Sequence, residues 1–453
     1  MNEDGSVGGI HDRSNFLDVR LRDDVDRPGN RRVADVASGE CRGRGVARFR
    51  IAANVDDGVK SPRTEFGFRG LAADGDAADC RFVLHAPPFA RSAARAPVVV
   101  AMAERHFASD NNAGVHPTLL AAIAEANDGH VAGYGSDPHT ERAEASVRAM
   151  LGEDARVFFA FNGTGANVVA LAAALRPHQA VITPAKSHLN VDECGAYERF
   201  AGSKLLTVAV HNGKLTPRDV ESCLHGIGDP HHVQPAAISI SQSTEVGTVY
   251  GLEELSALGA VCKQHGLFFH LDGARLANAA VSLGVDLRAM LVATGVDAFT
   301  FGATKNGALF GEAIVFTHDH PALKILPYTR KSGMQLASKM RFVAAQFNAL
   351  LHDDLWLKNA AHANDMAQIL AARLRSIDGV RIVYPVEANG IFAQIPAESI
   401  AALQRERNFY VWDTDASVVR WMTAFDTTVA DVNAFADAIE RVLGTRTANL
   451  IQR

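Results

Sequence analysis

The sequence predicts an α/β protein, with a large domain on a mainly parallel sheet and a smaller C-terminal α/β domain. Three observations predict it. Short apolar runs of strand length, Leu267–Leu271 and Val296–Gly302 among them, suit strands buried on both faces. Segments with apolar residues at helical spacing alternate with such runs. Asp272 and Lys305 each follow closely on the carboxyl end of one of these runs, where open α/β sheets hold their ligands.

Size and charge narrow the possibilities. A chain of 453 residues can bury a large core and divide into two or three domains. Its formal net charge of −6 is spread over mixed signs, which is no footprint for nucleic acid or a membrane surface. No apolar run is long enough to span a bilayer. The cysteines (Cys41, Cys80, Cys194, Cys223, Cys262) are scattered without paired or metal-ligand spacing, so reduced thiols in a cytoplasm are expected, and no metal. Residues 1–101 differ from the rest, with fifteen Arg against one Lys and no sustained apolar period. They are expected to be a disordered extension or a misplaced start, the alternative being a regulatory or interaction tail. The functional chain then runs as a large domain over 102–345 and a small one over 346–453.

In chain order, Phe107–Gly114 (FASDNNAG) is too polar for a buried strand and reads as a loop or helix cap. Pro117–Ala126 carries Leu119, Leu120 and Ile123 at helical spacing behind an initial proline. Gly129–Pro138 is a glycine-punctuated turn. Val157–Phe161 is a strand that runs through Asn162-Gly163-Thr164-Gly165-Ala166-Asn167 into a helix ending near Leu175. Small residues, free amides and the positive end of the helix make that turn a candidate phosphate cradle, with Gly163, Thr164, Gly165 and Asn167 as its residues. Strands follow at Ala180–Thr183, Leu205–Val210 and Ala236–Ser241, and a packed helix at Leu252–His265. The last domain has a helix near Asn359–Ile377, strands Val380–Tyr384 and Gly390–Ile395, a helix near Ser399–Asn408, a strand Val418–Thr423 and a closing helix Val429–Leu443.

An acid and a lysine at neighbouring strand ends, after a phosphate cradle, point to pyridoxal phosphate. The lysine takes the cofactor's aldehyde and the acid keeps its ring nitrogen protonated. Taken singly, Asp272 reads more readily as a cap on the helix from Ala274, and Lys305 as a solvated loop residue.

The words HLDGAR and FGATKNG, preceded by FNGTGAN, SHLNVDECGA and QSTEVGTVY, resemble the low-specificity L-threonine aldolases from about Phe107 to Leu443. The resemblance implies a pyridoxal-phosphate enzyme of fold type I, on a seven-stranded-type sheet, that cleaves threonine or allo-threonine to glycine and acetaldehyde. It implies that Lys305 and Asp272 hold the cofactor, that His188 stacks on its ring and that Ser109, Arg275 and Arg420 recognise the substrate carboxylate. Tyr134 would line the site, and Lys331 and Gln335 would reach the phosphate across a subunit interface in a homodimer or homotetramer. Many relatives have a histidine where this chain has Glu245. The base for the β-hydroxyl is therefore left among His188 or a water, Glu245 and Asp192, the last falling one turn beyond His188 if that stretch is helical. An aminotransferase, a β-eliminating lyase or a non-catalytic binding protein would use the same cofactor residues.

Overall fold

The structure is a computed structural model that describes residues 105–451 and, before them, two strands, β1 (Thr64–Leu71) and β2 (Ala77–Leu84), paired antiparallel. The disorder expected of residues 1–101 otherwise lies outside the described residues. Residues 102–453 form one unit.

Seven strands make its main sheet: β3 (Arg156–Ala160), β4 (Gln179–Pro184), β5 (Lys204–Val208), β6 (Gln234–Ser241), β7 (Phe268–Gly273), β8 (Ala298–Gly302) and β9 (Glu312–Phe316). Their order is β3-β9-β8-β7-β6-β4-β5, parallel except for β9, which runs against both neighbours. The link from β8 to β9 explains that reversal, because it is too short for the crossover a parallel neighbour needs. Both faces of the sheet are covered. Phe269 and Leu271 of β7 and Phe299 and Phe301 of β8 enter one core, while Phe268 and Ala298 enter another with the helix Gly163–Ala174. Continuous apolar strands are what burial on two faces requires.

The smaller domain's helices, and its strands apart from Tyr410–Asp413, come near where the sequence places them, on a sheet that is antiparallel throughout. Its strands are β10 (Arg381–Ile382), β11 (Gly390–Gln394), β12 (Tyr410–Asp413) and β13 (Val418–Met422), in the order β10-β11-β13-β12. Helices Leu355–Leu374 and Val429–Ile451 pack on it around Trp421, Phe409 and Phe435. The leader is tied to this domain. Phe107 is fully buried, stacks on Phe435 with 4.5 Å between ring centres, and exchanges backbone hydrogen bonds with Asn408 (3.0 Å) and Met422 (2.8 Å). Ser109 and Asp110 are thereby held at a fixed place between the two domains.

Candidate active site

The carboxyl ends of β7 and β8 carry the acid and the lysine side by side. Asp272 is buried, and its two oxygens accept from Ala274 N–H (2.9 Å) and from Asn167 Nδ2 (2.8 Å). The first bond closes a turn at the end of β7 and is not the helix cap expected of Asp272, because the helix starts at Leu276 with Arg275 as its cap; the second bond fixes the other oxygen. Asn167 is itself oriented by Thr300, whose hydroxyl donates to Oδ1 at 2.7 Å. Lys305 lies in a 3-10 turn, Thr304–Asn306. Burial and the neighbouring Arg275 push its ammonium below the usual lysine range, against opposing pulls from Asp110, Asp272 and Glu312. Glu312 opens β9 and accepts from Ala303 N–H at 3.0 Å, and burial raises its carboxyl to about 7. A half-buried amine whose charge is disfavoured suits carbonyl chemistry.

The helix Gly163–Ala174 starts directly after β3, with Asn162 as its cap accepting from Gly165 N–H at 2.7 Å. Gly163 and Thr164 form the first positions of the helix, where N–H groups have no partner within it. Gln335 closes the cradle from the same chain, its Oε1 accepting from Phe161 N–H at 2.9 Å. A Cβ on Gly165 would lie 2.1 Å from the Gln335 carboxamide carbon, so the close approach requires glycine here. Gly165→Ala is therefore expected to displace Gln335 and weaken pyridoxal phosphate binding by up to about tenfold, the worth of one hydrogen bond. Equilibrium titration of the apoprotein with the cofactor measures it.

His188 opens a single helical turn, His188–Val191, and its backbone N–H donates to Glu245 Oε1 at 2.9 Å. The same Glu245 oxygen accepts from Ser241 Oγ at 2.5 Å, and burial raises the carboxyl above its usual range. His188 Nδ1 lies 2.9 Å from Glu193 Oε1. That hydrogen bond raises the imidazole's pKa, over the opposing effect of burial.

Arg275 lies within electrostatic reach of Lys305, and Arg420 within reach of Arg275. Arg275 makes a two-pronged pair with Asp110, Nε to Oδ2 at 2.7 Å and Nη2 to Oδ1 at 2.8 Å, and Asn389 Nδ2 donates to the same carboxylate at 3.0 Å. Arg420 stands on β13, donates to Ala108 O at 3.1 Å, and lies over the rings of Tyr410 and Trp412 at 5.2 and 5.7 Å. Ser109 stands between the residues that hold these arginines, Ala108 and Asp110, its hydroxyl accepting from Asn111 N–H at 3.2 Å and donating to Asp110 Oδ1 at 3.4 Å.

Residues 106–398 match the family model described as beta-eliminating lyase. The chain is 44% identical over 342 residues to a low specificity L-threonine aldolase of Pseudomonas aeruginosa, covering 75% of this chain and 98% of that one. The chain belongs to the low-specificity L-threonine aldolases of the beta-eliminating lyase family. A yeast (Saccharomyces cerevisiae) protein of the same name is 28% identical over 285 residues, 62% of this chain and 71% of its own. A solved structure of Leishmania major threonine aldolase superposes with a TM-score of 0.71 at 36% identity, over 74% of this chain and 99% of that one. A putative L-allo-threonine aldolase from Listeria monocytogenes, 20% identical with a TM-score of 0.59 over 73% and 95% of the two chains, shares the fold.

In this aldolase the donor set fits pyridoxal phosphate: a half-buried lysine, a buried acid at the next strand end, and a glycine-lined helix start. Some expected residues are placed differently. Asn167 lies past the phosphate cradle, its carboxamide engaged by Asp272, Glu193 and Thr300. Asp192 is exposed and ends the turn after His188, and the adjacent Glu193 is the residue that reaches the imidazole. Tyr134 is exposed at a φ of 61°, under the ammonium of Lys331 at 4.9 Å. Sequence reasoning passes over Asp110, Glu193, Glu312 and Asn389. Asp110 and Glu193 stand inside quoted motifs, where each has a polar neighbour that draws the assignment instead.

Proposed function

We propose that the protein reversibly cleaves L-threonine, L-allo-threonine and related β-hydroxy-α-amino acids to glycine and an aldehyde, as a cytoplasmic homo-oligomer. The observation that supports this most is the placing of Lys305 and Asp272 at adjacent strand ends, facing the arginines held by the leader. Lys305 would take the aldehyde of pyridoxal phosphate, Asp272 its ring nitrogen, Gly163, Thr164 and Gly165 its phosphate, and His188 one ring face. When bound, the cofactor supplies an electron sink for the bond that breaks at Cα.

The chain's own residues select that bond. Arg420 and Ser109, with Arg275 behind them, would hold the substrate carboxylate, because a planar guanidinium meets it with two parallel bonds. Pinning the carboxylate turns Cα–Cβ toward the orientation in which it breaks. The β-hydroxyl proton must leave, and His188 is the base we assign, directly or through a water. Glu245, tied to the backbone of His188 and to Ser241, is the second candidate. Exposed Asp192 is the third, and lies within electrostatic reach of Arg420. Exposed Tyr134, Tyr328 and Met334 support association between copies, which light scattering would measure.

Incubating the protein with pyridoxal phosphate and L-threonine is expected to yield glycine and acetaldehyde in equal amounts. The family also suggests β-elimination. Ammonia and a keto acid in place of acetaldehyde would assign the chain to that reaction.

A further inference from the structure

Resting on that reading, we propose that Glu193 is a positioning residue: its carboxylate holds His188 as the Nδ1–H tautomer and leaves Nε2 to take the proton of the substrate's β-hydroxyl. The backbone makes the contact possible. After the single turn His188–Val191, Cys194 and Gly195 adopt positive φ (52° and 68°), which turns the chain back on itself. The Glu193 side chain has 0% exposure, while the His188 side chain keeps 37%. One carboxylate is thus sealed beneath a ring whose other part remains accessible.

The surrounding hydrogen bonds determine the tautomer. Asn167 faces Glu193 Oε1 at 3.1 Å and Asp272 Oδ2 at 2.8 Å. Two carboxylates beside one amide demand its NH2 group, and the Thr300 hydroxyl donating to Oδ1 completes that orientation. Glu193 Oε1 is then an acceptor toward Asn167. Burial raises this carboxyl's pKa against the hydrogen bonds from His188 and Asn167, and in its ionised form it has no proton to give, so the hydrogen between it and His188 sits on Nδ1. A base with Nδ1 protonated can accept only at Nε2. When the β-hydroxyl gives up its proton to Nε2, the carbonyl forms, Cα–Cβ breaks and its electron pair remains at Cα. The imidazolium is balanced by the carboxylate at 2.9 Å. Among the described residues no protein group donates to Glu193 Oε2, so the ring and Asn167 are the protein partners of this carboxylate.

The charges that bear on His188 are Glu193, Asp272 and Lys305 around the ring and Glu245 at its backbone N–H. Of these, Glu193 raises the imidazole's pKa most. The base works deprotonated, so removing the carboxylate moves the acidic limb of kcat/KM toward lower pH.

The test uses the holoenzyme with Glu193→Gln, Glu193→Asp, His188→Ala and the double variant His188→Ala/Glu193→Gln. Glu193→Gln is expected to lower kcat by about a hundredfold, to shift the acidic limb downward and to keep the visible absorbance of bound cofactor. Glu193→Asp, which keeps a carboxylate, should restore the limb in part. With His188 already alanine, Glu193→Gln should cost almost nothing more, since Glu193 acts through that ring. An undiminished loss in the double variant, an unmoved limb, or loss of cofactor from Glu193→Gln each overturns the proposal. The 15N shifts of His188 report its tautomer without turnover. An Nδ1-protonated ring in the wild type that depends on Glu193 would support the contact even if threonine proved not to be the substrate. If Glu193→Gln does not fold, Glu193→Asp alone and combined with His188→Ala supplies the same comparison.

Discussion

Lys305→Ala is expected to abolish the visible absorbance of bound cofactor and to lower kcat by about a thousandfold or more, the scale of removing an essential nucleophile. Lys305 follows β8 into a tight turn whose backbone is fixed by Glu312, so the amine cannot be replaced from a neighbouring position. Burial and Arg275 disfavour its ammonium, so more of it is a free amine near neutral pH than of a surface lysine. Lys305→Arg should fail equally, because a guanidinium keeps its charge in any such setting. Absorbance spectra and acetaldehyde release, recorded on the same samples, are the measurements. A Lys305→Ala protein that still turns over threonine at near the wild-type rate would remove the lysine from the chemistry.

The parts of this fold that are legible in the sequence are those where local pattern and burial agree. Helix Leu252–His265 is found with the same ends, and β7 and β8 lie within a residue or two of the runs that announce them. Strand β9 escapes a reading of the sequence because it begins with Glu312, a charged residue that reads as surface and is in fact buried. Strand β12 escapes it because its four residues are exposed or half-buried and carry no apolar period. Asp272 and Lys305 are legible because a strand end is a local feature. Glu193 is not, since the helical spacing that points to Asp192 holds only while the helix continues, and this one stops after a single turn. Asp110 reads locally as one polar residue of a loop. Its partners Arg275 and Asn389 come from distant parts of the chain, and no window of sequence brings them together.

Asp110→Asn is expected to have the largest effect on stability. Asp110 is 3% exposed and its carboxylate takes four hydrogen bonds, two from Arg275, one from Asn389 and one from the Ser109 hydroxyl, so it joins the leader to both domains. Asparagine keeps the size and removes the charge. Its one oxygen can satisfy one prong of the guanidinium, while its NH2 group faces N–H donors, and Arg275 loses its paired carboxylate and keeps only the unbonded charges of Asp272 and Glu245 nearby. Breaking such a pair from one side costs about 3–5 kcal/mol. The pH dependence carries a separate signature. Burial pushes the Asp110 carboxyl up, but Arg275 and Lys305 more than reverse this and hold it at about 2, below the ordinary 3.8. A depressed folded-state pKa contributes stability that is complete above the unfolded value and is lost as pH falls toward the folded one. The wild type should therefore lose about 2 kcal/mol between about pH 4 and pH 2 on account of this group. A carboxamide at this position cannot titrate, so the variant should lack that share of the slope. Activity should fall mainly through KM, because a loosened leader no longer holds Ser109 and the Ala108 carbonyl that Arg420 grips. Denaturation midpoints of the holoenzyme across that pH range, alongside KM at neutral pH, separate the two effects. Equal acid slopes in wild type and variant would mean that Asp110 is not held ionised by Arg275, and that the pair contributes geometry alone.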